Sequence, residues 1–154
     1  MKRKSVRIYS FTGTGSRLAL NLAEKLKQEG YVCTGYTVAR FAEDKRLQRL
    51  NDGWKQEIGA SWGEHALVFI GAAGIAIRAI APFVKDKFTD PPVIVLDEKG
   101  TFAIPLLSGH VGGGVTLAKV LAEYTGGRAV ITTATDVQKK FAADVFAMEN
   151  GLVI

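Results

Sequence analysis

The sequence predicts an α/β protein with a three-layer, open and mostly parallel sheet and helices on both faces, of the flavodoxin-like or Rossmann-like type. Short apolar segments alternate with amphipathic ones along the whole chain, a pattern typical of parallel strands joined by right-handed helical crossovers. The continuous apolar run at 66–70 is typical of a strand buried on both faces. The 154 residues fit a single domain, 1–154.

The predicted strands are short and rich in β-branched and aromatic residues. In chain order they cover 6–10, 31–39, 66–70, 93–96, 102–107 and 129–132. Residues 97–100 predict a turn in which Gly100 takes a positive φ. The segment 102–107 would then run back as an antiparallel hairpin partner, and Pro105 places it near a sheet edge.

The predicted helices follow from apolar residues that recur every three or four positions. The first carries its stripe on Ala19, Leu22, Ala23 and Leu26 and ends at Gly30, a C′ glycine. The others are expected within 41–59 around Leu47, Leu50 and Trp54; after 71–74 with Ile77, Ile80 and Val84 on one stripe and a break at Pro82; after 108–114 with Leu117, Leu121 and Tyr124 facing inward; and at 136–149.

Composition points to a soluble, cytoplasmic protein. With one cysteine, Cys33, the chain cannot form an internal disulfide, which favours a reducing compartment. No apolar run approaches the ~18 residues that a bilayer span needs. The formal net charge of +5 favours anionic partners, although solubility alone would also explain it. The basic residues form no arm, so nucleic acid is not an expected partner.

The segment 108–114 is the strongest candidate for a site. Its glycines, Gly109, Gly112, Gly113 and Gly114, allow backbone to approach a ligand closely, and the N–H groups at a helix start attract negative charge. An unperturbed imidazole has a pKa of about 6.5, which suits His110 to act as a general acid or base. Ser108 could hydrogen-bond the ligand or the imidazole. A tight strand-to-helix turn capped by His110 is the plainer interpretation of the same residues.

Three further strand ends carry polar or glycine-rich segments. Gly71 and Gly74 form a second backbone cradle, with Arg78 one helical turn beyond; a solvated helix face is the alternative for Arg78. Because open α/β sheets bind ligands at the carboxyl ends of their strands, the 71–74 and 108–114 segments are expected to meet at one cleft.

The second of these strand ends carries the Thr-Gly-Thr-Gly-Ser run at 12–16, which is similar to a flavodoxin phosphate loop. The third carries Thr132, Thr133 and Asp136, which can supply hydrogen bonds to a ligand; helix capping by Thr135 or Asp136 is the alternative.

Two other reactive side chains are expected to be structural. Cys33 lies inside a predicted strand, and His65 precedes a buried one. The chain contains neither a Gly-x-Ser-x-Gly elbow nor a Walker loop with its lysine, which argues against serine-hydrolase and P-loop chemistry.

Residues 69–122 contain GAAGIAIRAIAP, DEKG and LLSGHVGGG in that order, and ITTATDV follows at 131–137. This combination closely resembles the CbiG family of cobalamin biosynthesis, whose members are cobalt-precorrin-5A hydrolases of the anaerobic vitamin B12 pathway. The resemblance covers the N-terminal and middle region of that family. The family's further C-terminal domain is absent from the chain, so a separate protein carrying that domain is a potential partner.

The resemblance implies a hydrolytic reaction on a cobalt corrinoid. Water opens the δ-lactone of cobalt-precorrin-5A, and the methylated meso carbon leaves as acetaldehyde to give cobalt-precorrin-5B. No organic cofactor is needed, because the cobalt arrives within the substrate. A macrocycle ringed with acetate and propionate groups suits a protein of net charge +5.

From the chemistry of its residues, the chain offers one catalytic hypothesis with an open alternative. His110 would activate the water or protonate the leaving oxygen, while the N–H groups of Gly112, Gly113 and Gly114 would steady the oxyanion. Arg78 with the 71–74 turn would hold peripheral carboxylates. Alternatively, His110 would ligate the cobalt of the substrate.

Two rival functions remain open at this stage. The chain could be a non-catalytic half that only binds the tetrapyrrole and needs the separate C-terminal domain. It could also be a flavodoxin-like flavin or nucleotide module that uses 12–16.

Overall fold

The computed structural model of the protein describes residues 4–107 and 113–134. Within these residues one sheet contains seven strands: β1 (Ser5–Ser10), β2 (Val32–Thr37), β3 (Leu47–Arg49), β4 (Ala66–Ile70), β5 (Val93–Leu96), β6 (Phe102–Leu107) and β7 (Arg128–Ala129). The helices of this part are α1 (Gly13–Gln28), α2 (Trp54–Ala60), α3 (Ala73–Ile80) and α4 (Gly113–Thr125), with 3-10 turns at Ala39–Phe41 and Ala81–Phe83. None of these helices combines the length and the apolar character that a membrane crossing requires.

The strand order is β3-β2-β1-β4-β5-β6-β7, which begins like the order of Rossmann-type sheets. The strands from β3 to β5 are mutually parallel, β6 runs antiparallel to β5, and β7 runs parallel to β6. The predicted fold class, including an antiparallel hairpin towards one edge, is therefore confirmed. Pro105 lies in β6, the last strand but one. The edge strand β7 pairs only with Phe102 and Ala103 of β6, so the missing N–H of Pro105 costs no hydrogen bond to β7.

Helices cover both faces of the sheet, and the alternation of side chains along the strands divides the core in two. Val6, Ile8, Val68 and Ile70 pack on the face that α1 and α4 cover. Tyr9, Leu67, Phe69 and Val95 point to the opposite face, where buried residues of α2 and α3 meet them. Since neighbouring strand residues face opposite sides, β4 is buried along nearly its whole length, as its apolar run predicted.

The predicted helix around Leu47 and Leu50 is wrong. Leu47 begins the three-residue edge strand β3, and its Cδ2 packs 2.7 Å from the position that a Cβ on Gly35 would occupy in β2. The helix begins only at Trp54, after Asn51 Oδ1 accepts the N–H of Gly53 at 2.9 Å. A three-residue strand is too short to show an alternation of apolar and polar side chains. Its pairing with β2 can therefore be recognised only in the tertiary structure.

The predicted stripe of Ile77, Ile80 and Val84 is correct only for Ile80. Ile77 and Val84 stay 51% and 44% exposed, whereas Ala76, Ala79 and Ile80 are buried. The small side chains of Ala76 and Ala79 let α3 pack closely against the sheet. The predicted break at Pro82 is confirmed, because α3 gives way to the 3-10 turn at Ala81–Phe83.

The first helix starts earlier than predicted. Residues 13–16 form its first turn and not a loop, because Thr12 caps α1 by accepting the N–H of Gly15 at 2.9 Å. Its end is as predicted: Gly30 has φ +90°, and the N–H of Tyr31 donates to Leu26 O at 3.0 Å, which is the Schellman pattern. The stripe of α1 is buried as predicted.

From Gly100 onwards, some of the predicted features agree with the structure and others do not. Leu117 and Leu121 of α4 are buried as predicted, and Tyr124 is half-buried. Gly100 takes the predicted positive φ of +71°. The last strand is shorter than predicted, at Arg128–Ala129, and the predicted helix at 136–149 lies outside the described residues.

Candidate functional site

The reversal of β6 divides the predicted site between the two edges of the sheet. Leu107, the last residue of β6, pairs with Val93, the first residue of β5, so the chain enters 108–112 at the amino edge of the parallel strands. Gly113 returns at that same edge, where a Cβ on it would lie 3.7 Å from Pro92 Cγ. Gly71 follows β4 at the opposite, carboxyl edge. The expected meeting of the 71–74 and 108–114 segments at one cleft is therefore not what the structure shows.

Several predicted site residues lie outside the described part of the chain: Ser108, Gly109, His110, Gly112 and Asp136. Their roles stay predictions. Thr132 and Thr133 are described and follow β7, which runs parallel to β6 and continues in the same direction through a bond from Val130 N–H to Ala103 O. The chain at Thr132 and Thr133 therefore heads for the amino edge, where β6 ends at Leu107 and α4 begins at Gly113.

A cleft of about 350 Å³ opens at the amino edge. The start of α4 borders it through Gly113 and Thr116, and Lys4 and Tyr31 lie across from them. Because the first N–H groups of a helix carry partial positive charge, the start of α4 favours an anion or a developing oxyanion at this cleft. Lys4, whose Nζ lies 5.3 Å from the centre of the Tyr31 ring, adds a full positive charge.

The same cleft contains an imidazole that sequence reasoning treated as structural. His65 Nδ1 lies 2.6 Å from Ser5 Oγ, because the parallel register of β1 with β4 pairs Val6 with Ala66. Burial, and secondarily the positive charge of Arg7, lowers the pKa of His65, while Glu64 opposes the shift. A neutral imidazole can accept a hydrogen bond from the Ser5 hydroxyl through Nδ1, an arrangement consistent with the lowered pKa of His65. Only the pairing of β1 with β4 brings the two together.

A second cleft, of about 420 Å³, opens at the carboxyl edge. It lies beside β1 and β4, where the crossovers change face: α1 covers one side of the sheet and α3 the other. Open α/β sheets bind ligands at such a switch point. The residues around this carboxyl-edge cleft are Phe11, Val38, Ala39, Leu50, Asn51, Asp52, Trp54, Lys55, Ile75 and Arg78.

The structure brings Arg78 together with the glycines predicted to act beside it. A Cβ on Gly74 would lie 2.9 Å from Arg78 Nη1, so the guanidinium reaches back over the first turn of α3. Gly71 has φ +154° and donates its N–H to Leu96 O at 2.8 Å, which fixes the start of this turn. Within the described residues no carboxylate lies within 4 Å of Arg78.

Phe11 and Trp54 form an aromatic wall of this cleft that sequence reasoning missed. Their ring centres lie 5.7 Å apart, and Trp54 also packs 5.7 Å from Tyr9. Trp54 was assigned to a helix but not to a site, and only the position of α2 against the end of β1 reveals its place. In the described ranges, no three His, Cys, Asp or Glu side chains gather as metal ligands.

The 12–16 segment lacks the open character of a phosphate loop. Thr12 Oγ1 accepts from Gly15 N–H and donates to Glu98 Oε2 at 2.8 Å. A Cβ on Gly15 would lie 2.9 Å from Thr12 Oγ1 and 3.3 Å from Ile70 Cγ2, so this glycine serves helix packing. The carboxylate of Glu98 beside the start of α1 would repel a phosphate group, which argues against the nucleotide interpretation.

Comparison with known proteins agrees with the motifs at both edges. The family model for the N-terminal region of cobalamin synthesis protein G matches residues 58–136, which include the Gly71–Gly74 turn and the 108–114 segment. The chain belongs to this CbiG family. The cobalt-precorrin-5A hydrolase of Salmonella typhimurium is 39% identical over 97% of the chain, and that of Priestia megaterium is 32% identical over 99%.

The CbiG relatives are considerably longer than this chain, which spans 41% of the length of each of these two hydrolases. Among solved structures, a cobalamin biosynthesis protein G homologue from Sulfolobus solfataricus matches with a TM-score of 0.64 and 26% identity. That match covers 83% of this chain and 36% of the Sulfolobus protein. The similarity therefore concerns the N-terminal α/β region of CbiG proteins.

Proposed function

We propose that this CbiG chain contributes the lactone-opening step of the cobalt-precorrin-5A hydrolase reaction, with a cobalt corrinoid as its substrate. The family membership and the activity for which the two long relatives are named support the substrate class. Overall, one water is consumed: it opens the δ-lactone of cobalt-precorrin-5A, and the meso carbon with its methyl group departs as acetaldehyde, leaving cobalt-precorrin-5B. The cobalt travels within the substrate.

One observation carries the proposal: the start of α4 opens onto the amino-edge cleft directly after the predicted catalytic segment. Gly113 borders the cleft, and Gly114 is buried behind it. In a hydrolysis, the N–H groups at the start of a helix can hold the oxyanion that forms when water attacks the lactone carbonyl, an effect worth about 3 kcal/mol per donor. Gly112 would add a further donor.

In this proposal His110 is the general base that activates the water, and it later returns a proton to the leaving oxygen. Ser108 orients the imidazole or the lactone. Thr132 and Thr133 donate hydroxyl hydrogen bonds to the peripheral carboxylates of the macrocycle, and the Asp136 carboxylate accepts one from a hydroxyl donor of the substrate. Of the residues assigned here, Gly113 borders the amino-edge cleft, whereas Arg78 and the 71–74 turn lie at the other edge of the sheet and take no part in the proposed lactone-opening step.

The test is the release of acetaldehyde from cobalt-precorrin-5A under anaerobic conditions. His110→Ala is expected to lower the rate at least 100-fold, since general acid–base assistance contributes about 10²–10⁴-fold. Lys119→Gln, an exposed change on α4, is the matched control and should keep the rate. A His110→Ala variant with nearly full activity would refute the role of this imidazole as base.

A non-catalytic, tetrapyrrole-binding role is the second candidate, and the 41% coverage of the long relatives favours it. The assay is therefore run with the chain alone and with the C-terminal remainder of a long relative added as a separate protein. Acetaldehyde from the chain alone supports catalysis by this region. Acetaldehyde that appears only in the mixture assigns the decisive groups to the remainder and leaves binding to this chain.

A further inference from the structure

The carboxyl-edge cleft has no part in the lactone-opening step proposed above, yet it has the features of a ligand site. It occupies the switch point beside β1 and β4, the usual ligand position in such sheets, and its volume of about 420 Å³ lies in the range of small-molecule sites. Its lining joins an aromatic wall to two cationic side chains, Lys55 and Arg78.

The aromatic wall packs directly on the core beneath it. Tyr9 stacks between Tyr36 and Phe69, with ring centres 5.2 Å away on each side, because the three residues pair across adjacent strands. Trp54 rests against Tyr9 and Phe11, at 5.7 Å from each. A half-buried indole supported in this way presents a flat apolar surface that is ordered before a ligand arrives, which lowers the entropic cost of stacking.

The charged groups of this cleft are arranged to receive an anion. Arg78 reaches over Gly74 at the positive start of α3, and Lys55 Nζ lies 5.6 Å from the centre of the Trp54 ring. Among the described residues neither cation is paired with a carboxylate. Asp52 is the acidic side chain of the lining, so the lining carries a net charge of about +1 at neutral pH.

We propose that the carboxyl-edge cleft is a separate site for a flat, carboxylate-bearing tetrapyrrole ring, and this ligand class rests on the proposed function. The ring edge stacks on the indole of Trp54 and touches Phe11, whose ring is tilted by 49° from the indole. Its carboxylate arms bind Arg78 in a two-pronged contact and Lys55 as a point charge. The site binds one margin of the macrocycle, and the rest lies across the open mouth. The Glu98 carboxylate beside the start of α1 disfavours a nucleotide phosphate near the same edge.

The test is direct binding of uroporphyrin, a flat tetrapyrrole with eight carboxylates, followed by its Soret band in a titration against the folded chain. Arg78→Gln and Lys55→Gln should each raise the dissociation constant about tenfold, as expected for the loss of one charge-assisted hydrogen bond. Trp54→Leu should raise it by a similar factor. Lys119→Gln removes the same charge on α4 and should change it less than twofold. A circular-dichroism melting curve verifies the fold of each variant.

Other outcomes overturn the inference, and the acetaldehyde assay tests the hydrolase proposal separately. Uroporphyrin binding that survives all three cleft substitutions but is lost in Lys4→Gln would move the ligand to the amino edge. Failure of the wild-type chain to bind uroporphyrin would remove the site altogether. Displacement of uroporphyrin by equimolar ADP would show that the cleft prefers a nucleotide.

Discussion

The hydroxyl of Thr12 donates to Glu98 Oε2 at 2.8 Å and accepts the N–H of Gly15 at 2.9 Å. This single side chain therefore caps α1 and ties its first turn to the turn that joins β5 to β6. The two connected segments follow β1 and β5, which lie on either side of β4 in the sheet. Thr12 thus braces one end of the carboxyl edge across three strands.

Replacing Thr12 tests this brace. Thr12→Val keeps the shape but removes the cap and the bond to Glu98, so the free energy of unfolding should fall by about 1–2 kcal/mol. Thr12→Ser retains the hydroxyl and should lose only a few tenths of that amount. Urea unfolding followed by circular dichroism measures both, and equal midpoints for Thr12→Val and the wild type would show that the bonds contribute nothing.

Gly59 of α2 is expected to be intolerant of a methyl group. A Cβ at this position would overlap the ring of Phe83, which packs at 5.9 Å from Trp62. Gly59→Ala should therefore lower the free energy of unfolding by about 1–3 kcal/mol through overpacking. Gly13→Ala is the control, because its Cβ would meet the nearest atom of Phe41 at an ordinary 3.5 Å.

The ring of Phe83 provides the second arm of that experiment. In a Phe83→Leu background the overlap is relieved, so adding Gly59→Ala should cost much less than it does in the wild type. If the cost is the same in both backgrounds, the contact between Gly59 and Phe83 is not its cause.

His65 should remain uncharged at a pH where an exposed histidine is protonated. Its pKa is lowered chiefly by burial, and Ser5 Oγ at 2.6 Å can donate to the neutral Nδ1. Because the folded form holds a proton less tightly than the unfolded form, the contribution of His65 to stability is present above pH 6.5 and is lost as the pH falls through its lowered pKa.

Proton–nitrogen NMR on labelled imidazoles checks the state of His65. We expect the Nε2–H tautomer and a titration midpoint below 6.5. Ser5→Ala should raise that midpoint, because it removes the bond that favours the neutral ring. A His65 titration midpoint of 6.5 or above in the wild type, or an unchanged midpoint in Ser5→Ala, would contradict the geometry at the amino-edge cleft.

Tyr9 makes the folded state sensitive to alkali. Burial raises the pKa of Tyr9 from 10.0 to about 12, so between these values the unfolded chain ionises while the folded one does not. Its stabilising contribution is therefore complete below pH 10 and is lost as the pH rises towards 12, by roughly 2–3 kcal/mol for a shift of this size. Urea midpoints measured from pH 9 to 12 should fall less steeply in Tyr9→Phe than in the wild type; parallel slopes would exclude Tyr9 as the source.

Local patterns were sufficient for much of the fold. Gly30 and Gly100 take the positive φ values that their places after a helix and in a turn predicted, because only glycine adopts that backbone without strain. The buried run of β4 followed from its continuous apolar residues. Leu47 was misassigned because a three-residue edge strand is defined by its partner, β2, and not by its own periodicity.

The candidate site also shows that local sequence patterns do not reveal contacts between distant segments. The sequence indicated that 102–107 runs back along 93–96, and it singled out Arg78 with the 71–74 turn, which the structure places together. It did not reveal that Ser5 meets His65 or that Phe11 meets Trp54, since 60 residues separate the first pair. Contacts between segments that are distant in sequence leave no periodic trace in either segment.

The sequence by itself determined the CbiG motifs, the alternation of strands and helices, and the glycines at the helix starts, because each of these depends on neighbours within a few residues. Only the tertiary structure decided which edge of the sheet each motif occupies. The antiparallel strand β6 carries the chain back past the full length of β5. Residues 113–114 therefore lie at the amino edge of the sheet, and 71–74 lie at the carboxyl edge. The physical reason is that a strand's direction fixes where its end lies, and direction is a property of pairing and not of composition.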